Sequence, residues 1–160
     1  MEFTMRPATP QDAKIISAIL IEACRWLEQT GRPLWQPADL SEEKIATQID
    51  FFFLAEVNHE PAGTLKFQTE DKPFWSDVPG NDSAYIHRVA IRRNFAGSSL
   101  SRQMLTWAVD HARSLGKSYL RLDCEATRPT LRTIYENFGF KHHSDRPVGS
   151  YFVARYQYVL

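Results

Sequence analysis

The sequence predicts a single α/β domain built on a mixed sheet with helices on both faces. Three observations carry this. Segments with a two-residue apolar period alternate with segments of helical period, most regularly in the second half of the chain, which is the pattern of strands crossed by helices. Pro and Gly fall at the ends of the helical segments rather than inside them. The 160 residues suffice for one domain that buries roughly 68–70% of the surface its unfolded form exposes. No linker divides them: the longest turn-rich stretch, "DKPFWSDVPGNDS" from Asp71 to Ser83, is too short and too aromatic to be a domain boundary.

A short strand near Phe3 to Arg6 opens the chain. "TPQDAKIISAILIEACRWLEQTG" then reads as a helix: Thr9 caps it, Pro10 suits its first turn and Gly31 follows its end. Ile16, Ile19, Leu20, Ala23, Trp26 and Leu27 form its apolar stripe, which is expected to face the core. In "DLSEEKIATQI", Asp39 stands three residues before Glu42, the spacing of a capping box, and predicts a second, shorter helix; Ser41 is the rival cap. The period then shortens. "FFFLAEV" and "GTLKFQT" read as strands joined through "NHEP" as a hairpin. In the next strand, "SAYIHRVAI", Tyr85, His87, Val89 and Ile91 share one side, while Ile86, Arg88 and Ala90 share the other. Leu100, Met104, Trp107, Ala108, His111, Ala112 and Leu115 recur at helical spacing until Gly116. "SYLRLDC" is strand again, and "RPTLRTIYENFGF" is helix, with Pro129 near its start, Gly139 past its end and Tyr135 on its apolar face. "SYFVARYQYVL" is the last strand, which gives the order β-α-α-β-β-β-α-β-α-β.

Lys and Arg number 19, as do Asp and Glu, so the formal net charge is zero. No overall field draws in nucleic acid or an anionic membrane, and neither partner is expected. Cys24 and Cys124 lie far apart, the amino-terminal "MEFTMRPATP" has no apolar core, and no apolar run approaches the ~18 residues of a membrane span. A reduced, cytoplasmic protein is expected. No Cys/His spacing matches a metal site, so no metal is expected.

"RRNFAGSSLSRQML", residues 92–105, turns from strand into helix. A helix N-terminus offers unpaired N–H groups and the positive end of the macrodipole, and so binds phosphate whatever its side chains. Gly97 is the one glycine here; Ser98, Ser99 and Ser101 bring hydroxyls that donate to phosphate or cap the helix, and Arg102 lies in the first turn. By itself the stretch leaves a phosphate site and a plain corner equally open.

Taken together, "YIHRVAI", this turn, the long amphipathic helix, "YLRLDC" and "LRTIYENFGF" resemble the core of the GNAT superfamily of acyl-CoA-dependent N-acyltransferases, from about Asp82 to Phe140. The resemblance implies a mostly antiparallel sheet with splayed central strands, acetyl-CoA as co-substrate and a homodimer involving the C-terminal strand. It implies that the backbone of Val89, Ala90 and Ile91 pairs with the pantetheine arm. The family's pyrophosphate loop reads Arg or Gln, two residues, Gly, one residue, then Gly or Ala. It falls on Ala96, Gly97, Ser98, Ser99, Leu100 and Ser101, so the basic residue and both later glycines are missing. The amides of Gly97, Ser98, Ser99, Ser101 and Arg102 are then expected to converge on the diphosphate. Arg128 replaces an Asn that often stands near the pantetheine; it either meets a phosphate or stays a solvated first-turn residue. Tyr135 matches the family's tyrosine, whose hydroxyl points at the cofactor sulfur and supplies the proton a departing thiolate needs. A packed core tyrosine is the plainer reading.

An alkylammonium, with a pKa of about 10, must lose a proton before it attacks a thioester. His87 is the best candidate base, because imidazole chemistry suits proton transfer near neutrality and its parity with Val89 puts it beside the implied thioester. A strand histidine bonded to a neighbouring carbonyl is the alternative. Glu70, Asp77 and Asp82 are weaker candidates, and Cys124 reads as a small buried hydrophobe rather than a nucleophile. The acceptor pocket is expected in "GRPLWQPADL" and "DKPFWSDVPGND", with Trp35 and Trp75 lining it or else covering the core. The implied function is direct N-acetyl transfer from acetyl-CoA to a primary amine of a small molecule or protein. The alternative is a non-catalytic acyl-CoA-binding module with a degenerate loop.

Overall fold

The computed structural model describes residues 2–29, 35–79 and 81–160. Gly31, expected to end the first helix, lies outside the described residues. The strands are β1 (Phe3–Pro7), β2 (Phe52–Val57), β3 (Glu60–Gln68), β4 (Ser83–Ile91), β5 (Tyr119–Glu125), β6 (Lys141–Val148) and β7 (Tyr151–Val159). The helices are α1 (Ala13–Gln29), α2 (Glu42–Thr47), α3 (Lys72–Trp75), α4 (Leu100–Ser114) and α5 (Pro129–Phe138). The strands are hydrogen-bonded in the order β1-β2-β3-β4-β5-β7-β6. Pairing is antiparallel between β1 and β2, β2 and β3, β5 and β7, and β6 and β7, and parallel between β4 and β5. This is the mixed, mostly antiparallel sheet that the sequence predicts. By backbone proximity the chain gathers into two compact units, Met1–Lys66 with Arg88–Met104 and Phe67–His87 with Leu105–Leu160.

In the first unit a 3-10 turn, Pro10–Asp12, leads into α1, and the Thr9 N–H donates to Asp12 Oδ2 at 2.7 Å. Arg6 grips the same carboxylate through Nη1 at 2.7 Å and Nη2 at 3.0 Å. Hydrogen bonding to Arg6 holds the Asp12 pKa down at about 2. A folded pKa below the unfolded value of about 3.9 adds stability that is full above roughly pH 4 and vanishes as pH falls toward 2. Asp12→Asn and the parent chain should therefore differ in Tm most near neutrality and converge near pH 2. A Tm offset that is constant across pH would contradict this.

α1 packs Ala13, Ile16, Ile19, Leu20 and Cys24 into one buried cluster with Leu40, Ile45, Ile49, Phe52, Leu54 and Ala90. The expected stripe holds at Ile16, Ile19 and Leu20 but not at Trp26, which is 39% exposed; Cys24 takes the inward place. Asp39 does not cap α2. A 3-10 turn at Pro37–Leu40 carries Asp39 away from that position, and Ser41 caps instead, its Oγ accepting from the Lys44 N–H at 3.3 Å. Asn58 and His59 have φ of 51° and 67°, the mirror-image two-residue turn whose twist suits a hairpin. Gly63 lies opposite Ala55, and a Cβ there would stand 2.8 Å from the Ala90 carbonyl oxygen and 3.0 Å from Met104 Sδ. Gly63→Ala should overpack this point at about 1–3 kcal/mol, read as a Tm lowered by roughly 2–12 °C. An unchanged melting curve would show that the strands yield.

In the second unit the β4–β5 ladder covers only Ser83↔Tyr119, Ala84↔Leu120 and Tyr85↔Arg121. β5 continues beside β7 as far as Glu125↔Val153. α4 buries Leu105, Ala108, Val109 and Ala112. Two elements depart from the expected order. α3 is a single turn capped by Asp71, whose Oδ1 accepts from the Phe74 N–H at 3.2 Å. β6 is an edge strand whose strand partner is β7, so "KHHSDRPV" has no need of an apolar period. The expected strict alternation along β4 also fails. Arg88 has φ 54°, and a left-handed residue inside a strand turns the chain as a bulge does. Parity with Val89 therefore does not by itself orient His87.

Candidate active site

β4 ends at Ile91, and a 3-10 turn at Arg93–Phe95 leads through Gly97, φ 78°, to the start of α4. The surviving glycine thus stands where a left-handed conformation is required. Ser98 closes the corner on itself: its N–H reaches the Phe95 carbonyl at 3.2 Å, its hydroxyl donates to the same oxygen at 2.5 Å, and its Oγ accepts from the Leu100 N–H at 3.3 Å. The Ser98 amide, expected at a diphosphate, is engaged in the turn. Ser99 is the helix cap by position, its carbonyl accepting from the Gln103 N–H at 3.0 Å, and Ser101 and Arg102 follow in the first turn. α1 anchors the entry to the loop. Glu22 Oε1 accepts from the Arg93 N–H at 2.7 Å, and the Arg93 guanidinium lies 3.8 Å from the centre of the Trp26 ring. Val89 and Ile91 are half-buried and Ala90 is buried. Trp35 packs against the α1 cluster, with the Arg88 guanidinium 5.2 Å from its ring centre.

The second unit brings three titratable groups together. His87 Nε2 lies 2.8 Å from Asp71 Oδ2, and His87 Nδ1 lies 3.8 Å from Asp123 Oδ2. The side chains of His87, Asp71 and Asp123 are 18%, 3% and 10% exposed. α3 fixes Asp71 through its cap, and the Phe74 ring lies 6.0 Å from the imidazole. One ligand atom from each of the three residues falls within 4.8 Å of the others.

Tyr135 lies half-buried on α5, edge-on to Phe140. Burial, with the charges of Cys124 and Asp123 adding to it, pushes its phenol pKa above the ordinary tyrosine value. The hydroxyl therefore stays protonated at neutral pH. Cys124 is buried, and burial first, then the Asp123 charge, pushes its thiol up to about 12. It is the inert hydrophobe expected of it.

Asp77 is a clamp and not a base. It takes Arg155 Nη1 at 2.6 Å and Nη2 at 3.0 Å, contacts Arg146 as well, and is held near a pKa of about 2 by the Arg155 bonds. Asp82 accepts from the Ser83 hydroxyl at 2.9 Å. Arg128 Nε pairs with Glu125 Oε2 at 2.8 Å, which ties the cation to the end of β5. Trp75 is buried, with Arg155 and Arg121 4.6 and 5.0 Å from its ring centre, and its Nε1 has no hydrogen-bond partner among the described residues. With Glu70, Asp71, Lys72 and Tyr85 it lines a cavity of about 650 Å³.

The model of the acetyltransferase (GNAT) family matches residues 20–140. The chain belongs to the GNAT acetyltransferase family. A curated relative, YesJ of Bacillus subtilis, named an uncharacterized N-acetyltransferase, is 27% identical over 143 residues, 84% of this chain and 79% of YesJ. A GNAT acetyltransferase from Listeria monocytogenes has a crystal structure that is 28% identical and superposes with a TM-score of 0.82, over 100% of this chain and 96% of its own. The structure of yncA from Salmonella typhimurium, solved with its cofactor acetyl-CoA, shares the fold at 17% identity and a TM-score of 0.74, over 100% and 95% of the two chains. Among the described residues no helix is long and apolar enough to cross a membrane.

Within this GNAT chain the sequence reading missed Asp71 and Glu22 and gave Asp123 no role. Asp71 carried a usable signal, since an Asp followed by "KPFW" is a helix cap with Pro in the first turn. Glu22 carried none, because its partners at Arg92 and Arg93 are remote in sequence.

Proposed function

We propose that this GNAT protein moves an acetyl group from acetyl-CoA directly to a primary amine of a small molecule or protein. The observation that carries this reading is the β4–β5 ladder, which stops at Tyr85↔Arg121 although β4 runs on to Ile91. In this reading the main chain of Val89, Ala90 and Ile91 takes the pantetheine arm as a strand takes an added strand, and its amides face the developing oxyanion. The diphosphate meets the α4 terminus through the amides of Gly97, Ser99, Ser101 and Arg102, and Ser98 joins by releasing Phe95. The acetyl-CoA held by yncA, which has the same fold, supports this choice of co-substrate. Arg128 is a secondary cofactor contact, and Trp75 borders the acceptor on the cavity it lines.

The amine nitrogen attacks the thioester carbonyl after the ammonium has given one proton to His87 and thence to solvent. The C–N bond forms, the tetrahedral oxyanion collapses and the C–S bond breaks. Tyr135 protonates the thiolate, and the second proton lost by the amine nitrogen restores the phenol. One observation favours a non-catalytic acyl-CoA-binding module instead: the Ser98 amide is engaged with Phe95. Calorimetric titration with acetyl-CoA, followed by a thiol-release screen over alkyl diamines, amino acids and lysine peptides, decides. Binding with thiol release from at least one amine supports transfer. Binding without release from any amine supports the module, and no binding removes both.

A further inference from the structure

We propose that the cavity walled by Trp75 binds a carboxylate, so that the acceptor is an amine that also carries a carboxyl group, as an amino acid does. This rests on the acetyltransferase reading and adds to it the chemical class of the substrate. An indole nitrogen can only donate. Among the described residues, Trp75 Nε1 is the one buried side-chain donor without an acceptor, and a buried donor left so has lost its water for nothing. Trp75 lines the cavity of about 650 Å³, where a ligand oxygen supplies the missing acceptor. Lys72 stands three residues before it on the single turn of α3, the spacing of side chains that share a face, and lines the same cavity with Lys117. Lys117 Nζ donates to the Asn81 carbonyl at 3.1 Å and has two further N–H groups to offer. Neither lysine enters an ion pair among the described residues.

Charge selects an anion. On the cavity wall Lys72 and Lys117 balance Glu70 and Asp71, but behind the indole the balance is positive. Arg121 is buried with its guanidinium 5.0 Å from the Trp75 ring centre, and its partners among the described residues are neutral: the Pro79 carbonyl, 3.1 Å from Nη1, and Gln157 Oε1, 3.3 Å from Nε. Arg155, 4.6 Å from the same ring centre, shares the carboxylate of Asp77 with Arg146. A shielded cation without a counter-charge draws an anion to its neighbourhood. The same field is felt at His143, whose ring lies 5.2 Å from that of Trp75; burial first, then Arg155 and Arg121, push its pKa below the ordinary histidine value. Glu70 and Asp71 oppose the second charge of a phosphate ester, which leaves the singly charged carboxylate as the better occupant. One of its oxygens takes the indole N–H and the other an ammonium. A polyamine, an aminosugar or an arylamine brings no such group.

Indole 15N–1H spectra of the tryptophan-labelled protein near pH 7, without acetyl-CoA, test the proposal. Trp75 is assigned by through-bond correlation to its own backbone, and sodium propionate is the probe. The expected result is a Trp75 Nε1–H resonance that moves saturably with propionate and stays in place with sodium chloride at equal ionic strength. Lys72→Gln combined with Lys117→Gln, both made on the cavity wall, should weaken that binding about tenfold. In thiol release with acetyl-CoA, an amino acid should exceed the amine left on removing its carboxylate by about tenfold or more in kcat/KM. A Trp75 signal that ignores propionate, that follows chloride equally, or that responds undiminished in the double variant overturns the proposal. A signal moved at lower concentration by inorganic phosphate than by propionate overturns it in favour of a phosphate ester. Thiol release that shows no preference for the amino acid would sink the substrate class and leave the transferase reading standing. A propionate response without thiol release from any amine would sink the transferase reading and keep the carboxylate seat.

Discussion

Phenylalanine at position 135 should lower kcat about a hundredfold and leave the Kd for acetyl-CoA within roughly twofold, since general acid catalysis contributes about 10²–10⁴ in rate. The substitution keeps the ring that packs against Phe140 and Tyr156 and removes only the hydroxyl. Burial keeps that hydroxyl protonated, because the phenol pKa lies above the ordinary tyrosine value. A general acid works in its protonated form, so the rate it supports falls only as pH rises through the raised folded value. Wild-type kcat should accordingly hold to alkaline pH, and the residual rate of Tyr135→Phe should show no alkaline limb from this group. Single-turnover thiol release measures the chemical step directly. If that step runs at an unchanged rate in Tyr135→Phe, the tyrosine has no part in the chemistry.

Arg155→Ala should give the largest loss of stability, about 3 kcal/mol, or roughly 6–12 °C in Tm for a chain of this size. The guanidinium is 3% exposed and reaches three parts of the second unit: Nη1 donates to the Phe74 carbonyl at 3.0 Å and to Asp77 at 2.6 Å, and Nε donates to Ser144 Oγ at 2.9 Å. It also covers the buried Trp75 ring. Little of the loss is assigned to the charge of Asp77, which is 43% exposed and keeps Arg146. The larger share comes from the stranded Phe74 carbonyl and the uncovered indole. Arg155→Lys should recover only a fraction, because an ammonium cannot bridge these partners as a planar fork does. A Tm change below about 2 °C in Arg155→Ala would show that the clamp is dispensable.

How much could be read in advance depended on how local each cause was. α4 and α5 were legible because their periodic faces, Gly116 and Gly139 lie within the segments they define, and the Asn58–His59 turn because its shape is a property of the adjoining residues. The choice between Asp39 and Ser41 was not legible: both are good caps, and only the folded chain shows Asp39 inside a 3-10 turn that ends at Leu40, just before Ser41. β6 escaped because an exposed edge strand needs a partner and not a pattern. At the site, the loop position and His87 were visible as residue types in the right segments. The carboxylates that flank His87 were not assigned, since they come from the cap of α3 and the end of β5, and only the folded sheet brings them to one ring. Gly63 gave no sign of its role for the same reason, because its reason for being glycine is the Ala90 carbonyl.

Cys24 and Cys124 are both sealed from solvent. A coloured disulfide reagent mixed with the folded protein therefore meets no reactive sulfur belonging to the polypeptide. Whatever colour develops once acetyl-CoA and an amine are added counts liberated CoA molecules one by one, against a blank close to zero.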